Sequence, residues 1–348
     1  MFTTVVLPLP VPPAIPIIII LVGFYTANLV IFFRMAKKVV YLCNVMNYSP
    51  GLTIVIPVRD RAGLVGRTLQ SVAAQTLRPL KIVLVDNGSI DGTPEVLRKW
   101  AGEFYTAGIE AVVVNEPTPG ASCARNRGLA EVTTEWTMFF DSDDTMQPDH
   151  CRRAMDWAEG ADVVGWDVCY HDLNGRVSVK PFYASDLQYH SLMHGTMATQ
   201  RYMARTSLFI RAGKWHPQMR GWDDIELGSR VLALAPRVRR IEGKPLVDVW
   251  AQEASITGKT YSERADQYLE ALECIEANIG GSRGRIFTDV KRAILAADCR
   301  REGMVAFGPM LGERLKGYGL KNTVLLRMIY LYRLMGGRGA ARIVRKLL

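Results

Sequence analysis

Several signatures of common functional classes are missing from this chain. The six cysteines (Cys43, Cys123, Cys151, Cys169, Cys274 and Cys299) lie far apart with no C-x-x-C pair. That argues against a zinc site and suits a reducing compartment. No G-x-G-x-x-G follows the first strand-like segment, which disfavours a dinucleotide oxidoreductase. Gly258-Lys259-Thr260 matches the end of a P-loop, but the upstream glycine that loop needs is Glu253. Histidine is scarce, and His150, His194 and His216 are not spaced as a ligand set, so they read as ordinary polar residues. No internal repeat or low-complexity tract is present. Two absences of charge stand out: residues 14–33 carry none at all, and from residue 313 to the end Glu313 is the one acid.

Each of these gaps carries an expectation. About 20 apolar residues can cross a bilayer, so residues 1–38 are expected to form a transmembrane anchor. A cleaved signal peptide is the weaker reading, because Arg34, Lys37 and Lys38 follow the apolar run and no basic segment precedes it. By the positive-inside rule those cations predict a single pass in the cell's inner or plasma membrane, with the downstream chain cytoplasmic. At the other end, nine basic residues stand against Glu313, a local +8 within a net charge of +9. Interleaved with Val324, Leu325, Met328, Ile329, Leu331 and Tyr332, they predict a helical region over 261–348 that adsorbs to anionic lipid. A basic helix simply packed on the domain is the alternative. Nucleic acid is not expected as a partner, since no recognition motif accompanies the charge.

Between the two ends the hydrophobic pattern alternates. Residues 52–58 and 81–86 read as strands and 62–74 as a helix. Asn87-Gly88-Ser89-Ile90-Asp91-Gly92 is a turn, and Thr93 is expected to cap a helix over 94–100 with proline in its first turn. A strand over 111–115, a helix over 121–130 and a strand over 136–140 follow. Strand alternating with helix at this spacing predicts a mostly parallel sheet wrapped by helices, here spanning residues 50–260. Further on, Asn174-Gly175 between two extended runs predicts a hairpin, and residues 225–233 a helix.

The loop Asp141-Ser142-Asp143-Asp144 leaves the carboxyl end of the 136–140 strand, where open α/β sheets bind ligands. Three carboxylates so close repel one another, and oxygen-only ligands suit Mg²⁺ or Mn²⁺, ions that commonly hold phosphates. An acidic surface turn is the plain alternative. An EF-hand loop fits badly, because its glycine and final glutamate positions are Met146 and Arg152.

Taken in order, Ile54-Val55-Ile56-Pro57-Val58, residues 84–93 (LVDNGSIDGT), residues 120–128 (GASCARNRG), Phe140-Asp141-Ser142-Asp143-Asp144, residues 222–227 (WDDIEL) and Ser255-Ile256-Thr257 resemble family 2 glycosyltransferases of the GT-A fold. The resemblance covers residues 52–260. It implies an inverting, metal-dependent transfer of a sugar from a nucleoside-diphosphate-sugar donor to a hydroxyl of a glycan or lipid-linked acceptor, as in surface polysaccharide or glycolipid synthesis. Asp143 and Asp141 would hold Mn²⁺ or Mg²⁺ with the diphosphate, and Asp144 would support them. Pro57, Arg59, Asp86, Asn87, Arg125, Asn126 and Asp141 would line the donor nucleotide. Asp224 would be the general base, with Trp222 and Asp223 toward the acceptor. Helix N-terminal capping is the alternative for the Asp223-Asp224 pair, a structural salt bridge for Arg125 and a core role for Trp222. Two positions depart from the family pattern: Asn87 stands where a second Asp is usual, and Gln252 stands where a His is frequent. A nucleotidyltransferase would need a Gly-rich basic loop after the first strand, and residues 59–63 make a poor one. A catalytically dead membrane scaffold would have little reason to keep Asp141, Asp143 and Asp224.

Overall fold

The run from Leu52 to Val58 has almost no polar residue because it is buried on both faces, as strands of a parallel sheet are. It belongs to β1 (Ser49–Val58), which pairs in parallel with β2 (Leu80–Asp86) on one side and β4 (Thr134–Phe139) on the other. β2 pairs in parallel with β3 (Glu110–Asn115). Alternate residues serve two cores. Leu52, Ile54, Ile56, Ile82 and Leu84 pack with Leu69 of α1 (Val65–Ala73) and with Leu97 and Phe104 of α2 (Thr93–Thr106). Val55, Val83 and Val85 pack with Ala124 and Leu129 of α3 (Ala121–Ala130). The computed structural model describes residues 49–252, 260–304 and 307–339 of the 348, all within one compact unit.

Beyond β4 the parallel rhythm stops. β9 (Tyr202–Arg205) runs antiparallel between β4 and β6 (Val163–Gly165), and β10 (Val238–Arg240) closes that edge, giving the order β10-β6-β9-β4-β1-β2-β3. A second sheet contains β5 (Thr145–Met146), β7 (Val168–His171), β8 (Val177–Lys180) and β11 (Val247–Trp250) in the order β5-β11-β7-β8. β7 and β8 form the expected hairpin, with Gly175 at φ 75° in its turn. Between these strands lie α4 (His150–Asp156), α5 (Leu187–His194) and α6 (Thr206–Arg211), and the helix expected over 225–233 is α7 (Asp223–Ala233).

From residue 265 the chain is helical: α8 (Ala265–Ile279), α9 (Gly281–Arg301), α10 (Phe307–Leu315) and α11 (Leu320–Leu334). Leu272, Ile275, Val290, Leu326 and Ile329 form a core that also takes in Ile225 of α7 and Leu192 of α5 (Leu187–His194). Part of the basic character of this region is internal. Arg314 bonds Glu276 and Asp289, Arg333 bonds Asp298, and Lys316 pairs with Glu313.

Three expectations need correction or comment. Gly92, not Thr93, precedes α2, and the first N–H of the helix, that of Thr93, is accepted by Asp91 Oδ1 at 2.9 Å. The Thr93 hydroxyl instead accepts the Arg61 N–H at 2.8 Å, tying the loops after β1 and β2 together. The helix also runs to Thr106, well beyond residue 100. The single-pass localisation is withdrawn, because no helix among the described residues is long and apolar enough to cross a membrane; residues 14–33 lie outside them.

α3 meets the sheet at Gly128, where an added Cβ would lie 2.3 Å from Val55 Cγ1 and 2.9 Å from Val85 Cγ2. Gly128→Ala is therefore expected to lift α3 and cost about 1–3 kcal/mol, read by urea unfolding. An unchanged midpoint would mean that the helix seat gives way freely.

Candidate active site

The carboxyl ends of β1, β2, β3 and β4 lie side by side, with Val58 opposite Asp86 and Asp86 opposite Asn115. Loops leaving those ends build the site. Asp86 is buried and its Oδ1 accepts the Ser89 N–H at 3.3 Å. Reciprocal bonds join the neighbouring loops: Asp60 N–H to Ser89 Oγ at 3.0 Å, and Ile90 N–H to Asp60 Oδ1 at 2.8 Å. Pro57 is half-buried in β1, while Arg59 is exposed and 3.6 Å from Asp60.

Asn87 is buried and its amide is fully engaged. Nδ2 donates to the carbonyls of Glu116 and Thr118 at 2.9 and 2.8 Å, and Oδ1 accepts the Gly120 N–H at 2.9 Å. A carboxylate here would lose both donated bonds, which gives a local reason for Asn. Asn126 is engaged likewise: Nδ2 donates to the Trp215 carbonyl and Oδ1 accepts the Trp215 N–H, at 2.8 and 2.9 Å. Both side chains therefore shape the loops rather than present free donors.

Arg125 is the centre of the site. It projects from α3, is almost fully buried, and lies over the Trp215 ring at 4.4 Å. Nη2 donates to Asp141 Oδ1 and Nη1 to Asp223 Oδ2, each at 2.8 Å. Burial alone would lower its pKa, but Asp141 and Asp223 outweigh that and hold it raised. Ser122 adds a second donor to Asp223 Oδ2 at 3.2 Å. Capping of α7 does not account for Asp223, whose carboxylate faces Arg125; the bond at the helix start is made by Asp224, whose Oδ1 accepts the Ile225 N–H at 2.8 Å. Trp222, at φ 51°, stacks on Tyr268 at 4.4 Å with Lys291 Nζ 4.8 Å from its ring, so it packs against the C-terminal helices.

The acidic loop divides its labour. Asp141 accepts from Arg125 on one oxygen and from Gln200 on the other. Asp144 is buried: its Oδ1 accepts the Trp250 N–H at 2.9 Å, and its Oδ2 lacks a hydrogen-bond partner among the described residues. Burial, then the Asp141 and Asp143 charges, push its pKa well up. The carboxylate of Asp143 stands 3.8 Å from Arg61, and Arg67 bonds its backbone carbonyl at 2.8 Å. Burial and Asp141 raise the Asp143 pKa, with Arg61 opposing. Asp224 is half-buried; burial of its carboxyl and the neighbouring Asp223 raise its pKa to about 7, against the pull of Arg125.

Among the described residues no three His, Cys, Asp or Glu side chains form a ready metal cage. Asp143 and the unpartnered oxygen of Asp144 nevertheless offer hard donors. That fits an ion completed by phosphate oxygens and water, the usual habit of Mg²⁺. Gln252 follows β11, and Ser255-Ile256-Thr257 lie outside the described residues.

Residues 53–215 match the family model described as Glycosyl transferase family 2. These residues form a family 2 glycosyltransferase domain. The glycosyltransferase AglE of Haloferax volcanii is 26% identical over 174 residues, covering 47% of this chain and 53% of that protein. The PGL/p-HBAD biosynthesis glycosyltransferase of Mycobacterium tuberculosis is 30% identical over 132 residues, covering 37% and 50%. The matches thus span about half the length of these curated relatives. The S. aureus TarS 1–349 structure in complex with UDP-GlcNAc superposes with a TM-score of 0.58 at 14% identity, covering 85% of this chain and 92% of that one. The mannosyltransferase PcManGT of Pyrobaculum calidifontis, in complex with GDP-Man and Mn²⁺, gives 0.54 at 17% identity over 86% and 87%. At these identities the likeness establishes the GT-A fold.

Sequence reasoning missed Gln200, Trp250, Arg67, Ser122 and Arg61. Arg61 had a signal, since it shares the loop of Arg59. Ser122 had one too, since it lies in the 120–128 run with Arg125; Gln200, Trp250 and Arg67 reach the site only through folding.

Proposed function

We propose that the protein transfers a sugar from a nucleoside-diphosphate-sugar to a hydroxyl of a glycan or lipid-linked acceptor with inversion at the anomeric carbon. One observation carries this reading: Arg125 joins Asp141 of the diphosphate-side loop to Asp223 of the acceptor-side pair within one buried ion network. A site of this kind needs both halves held at fixed separation. Asp224 takes the proton from the acceptor hydroxyl as its oxygen attacks the anomeric carbon, and the nucleoside diphosphate departs from the opposite face. A pKa near 7 suits a base working at neutral pH. Asp223 and Asp141, bound by Arg125, position this machinery. Asp86 lies at the nucleoside side, with Asn87 and Asn126 shaping the loops around it and Pro57 and Arg59 at the rim. Asp143, with Asp144 behind it, would hold Mn²⁺ or Mg²⁺, which supplies charge neutralisation to the leaving diphosphate.

The complexes of similar proteins with UDP-GlcNAc and with GDP-Man and Mn²⁺ make UDP- and GDP-sugars the first donors to try. Purified full-length protein with Mn²⁺ should hydrolyse at least one of a panel of sugar nucleotides slowly, releasing nucleoside diphosphate. The absence of both turnover and binding with every member would sink the proposal. Asp143→Ala should remove the Mn²⁺-dependent part of donor binding, roughly 2–3 kcal/mol of ligand stabilisation at hundredfold saturation. Thermal shift with and without EDTA reads this; a variant still responding to Mn²⁺ like the parent would move the metal elsewhere.

A further inference from the structure

α11 is apolar on two sides. Its inward residues Leu325, Leu326 and Ile329 are buried in the C-terminal core. Its outward face carries Leu320, Val324, Met328, Leu331 and Met335, spaced four, four, three and four residues apart, with Tyr332 beside them. That spacing lines up one continuous face. Leu320 and Met335 are 81% exposed, Met328 61% and Leu331 53%. Exposed residues along the rest of this face are Lys321 and Arg327, which by helical position border the stripe on opposite sides. No carboxylate lies on α11, nor anywhere after Glu313 in the chain. Among the described residues, only the Leu325, Leu326 and Ile329 side of α11 is covered.

We propose that this face of α11 docks onto an anionic lipid surface, lying in the plane of the headgroups. The contact is superficial and is separate from the membrane-crossing segment withdrawn above. Charge chooses the occupant. Apolar side chains enter the acyl boundary while Lys321 and Arg327 extend outward along both borders to the phosphates. A second copy of the same face would set like cations against one another. The ion pairs that hold Arg314, Lys316 and Arg333 leave the cations of the outward face to act on a partner.

The test uses the full chain and co-sedimentation with vesicles of phosphatidylcholine alone or mixed with phosphatidylglycerol. Binding to the anionic vesicles should be about tenfold tighter or more, and salt should weaken it. Met328→Glu with Leu331→Glu should lower the partition coefficient at least about tenfold. Leu173→Glu with Val177→Glu, on the exposed β7–β8 hairpin, should leave it unchanged. Lys321→Glu with Arg327→Glu involves exposed side chains, so it folds independently of the stripe and should erase the anionic preference. Three results overturn the proposal: no binding of the parent to anionic vesicles, a folded stripe variant that binds like the parent, or a stripe variant that disrupts a dimer while vesicle binding persists. Donor hydrolysis measured alongside keeps this outcome distinct from that of the proposed transfer.

Discussion

Asp224→Asn is expected to lower the proposed sugar transfer about 10²- to 10⁴-fold, the range general-base catalysis supplies, while leaving donor binding intact. The substitution keeps size and shape and removes the basic oxygen. Asp224 is the one carboxylate of the acceptor-side pair that Arg125 does not bond, since Arg125 and Ser122 both donate to Asp223. Burial of its carboxyl, then the charge of Asp223, raise its pKa to about 7. The working base is the deprotonated form, so the parent rate should climb with pH through about 7 and level off above it. In Asp224→Asn that limb should vanish. Full transfer by the variant, or an unchanged pH limb, would remove Asp224 from the role.

Arg125→Leu destabilises the fold by about 3–5 kcal/mol, because removing one partner of a buried ion pair strands the others. Asp141 keeps its bond from Gln200 and Asp223 its bond from Ser122, but neither donor carries a charge. Urea unfolding measures this effect. A second readout separates positioning from mere stability. Arg125 lowers the proton affinity of Asp224, so its loss should shift the pH limb of any residual transfer to higher pH. Arg125→Lys should recover only part of both effects, since one ammonium does not reproduce two bonds in a fixed fork. Unchanged unfolding together with an unmoved pH limb would refute the bridge.

Several features of the molecule were legible in the residues alone. The unbroken apolar runs of β1 and β2 announced strands buried on both faces, and Pro94 marked the first turn of α2. The hairpin at Gly175 followed from its turn residues. The acidic loop after β4 and the pair at the start of α7 stood out as chemistry. Thr93 was misread because a hydroxyl beside a helix start bonds whichever N–H arrives, and here Arg61 arrives from another loop. Asn87 stood out as a departure from the usual Asp, and its amide holds three backbone groups from residues 116–120. The basic C-terminus looked uniform, yet ion pairs absorb several of its cations and leave one face of α11 distinct.

Local pattern therefore determined which segments are strands and helices, and where carboxylates gather at strand ends, because hydrophobic period and turn chemistry act between neighbours. Folding decided which carboxylates meet which partner. Arg125 meets Asp141 and Asp223, 16 and 98 residues away, and Trp250 reaches Asp144 across 106. Contacts over such separations depend on how the sheet and helices close on one another, and that closure leaves Asp143 and Asp224 outside the bonds of Arg125.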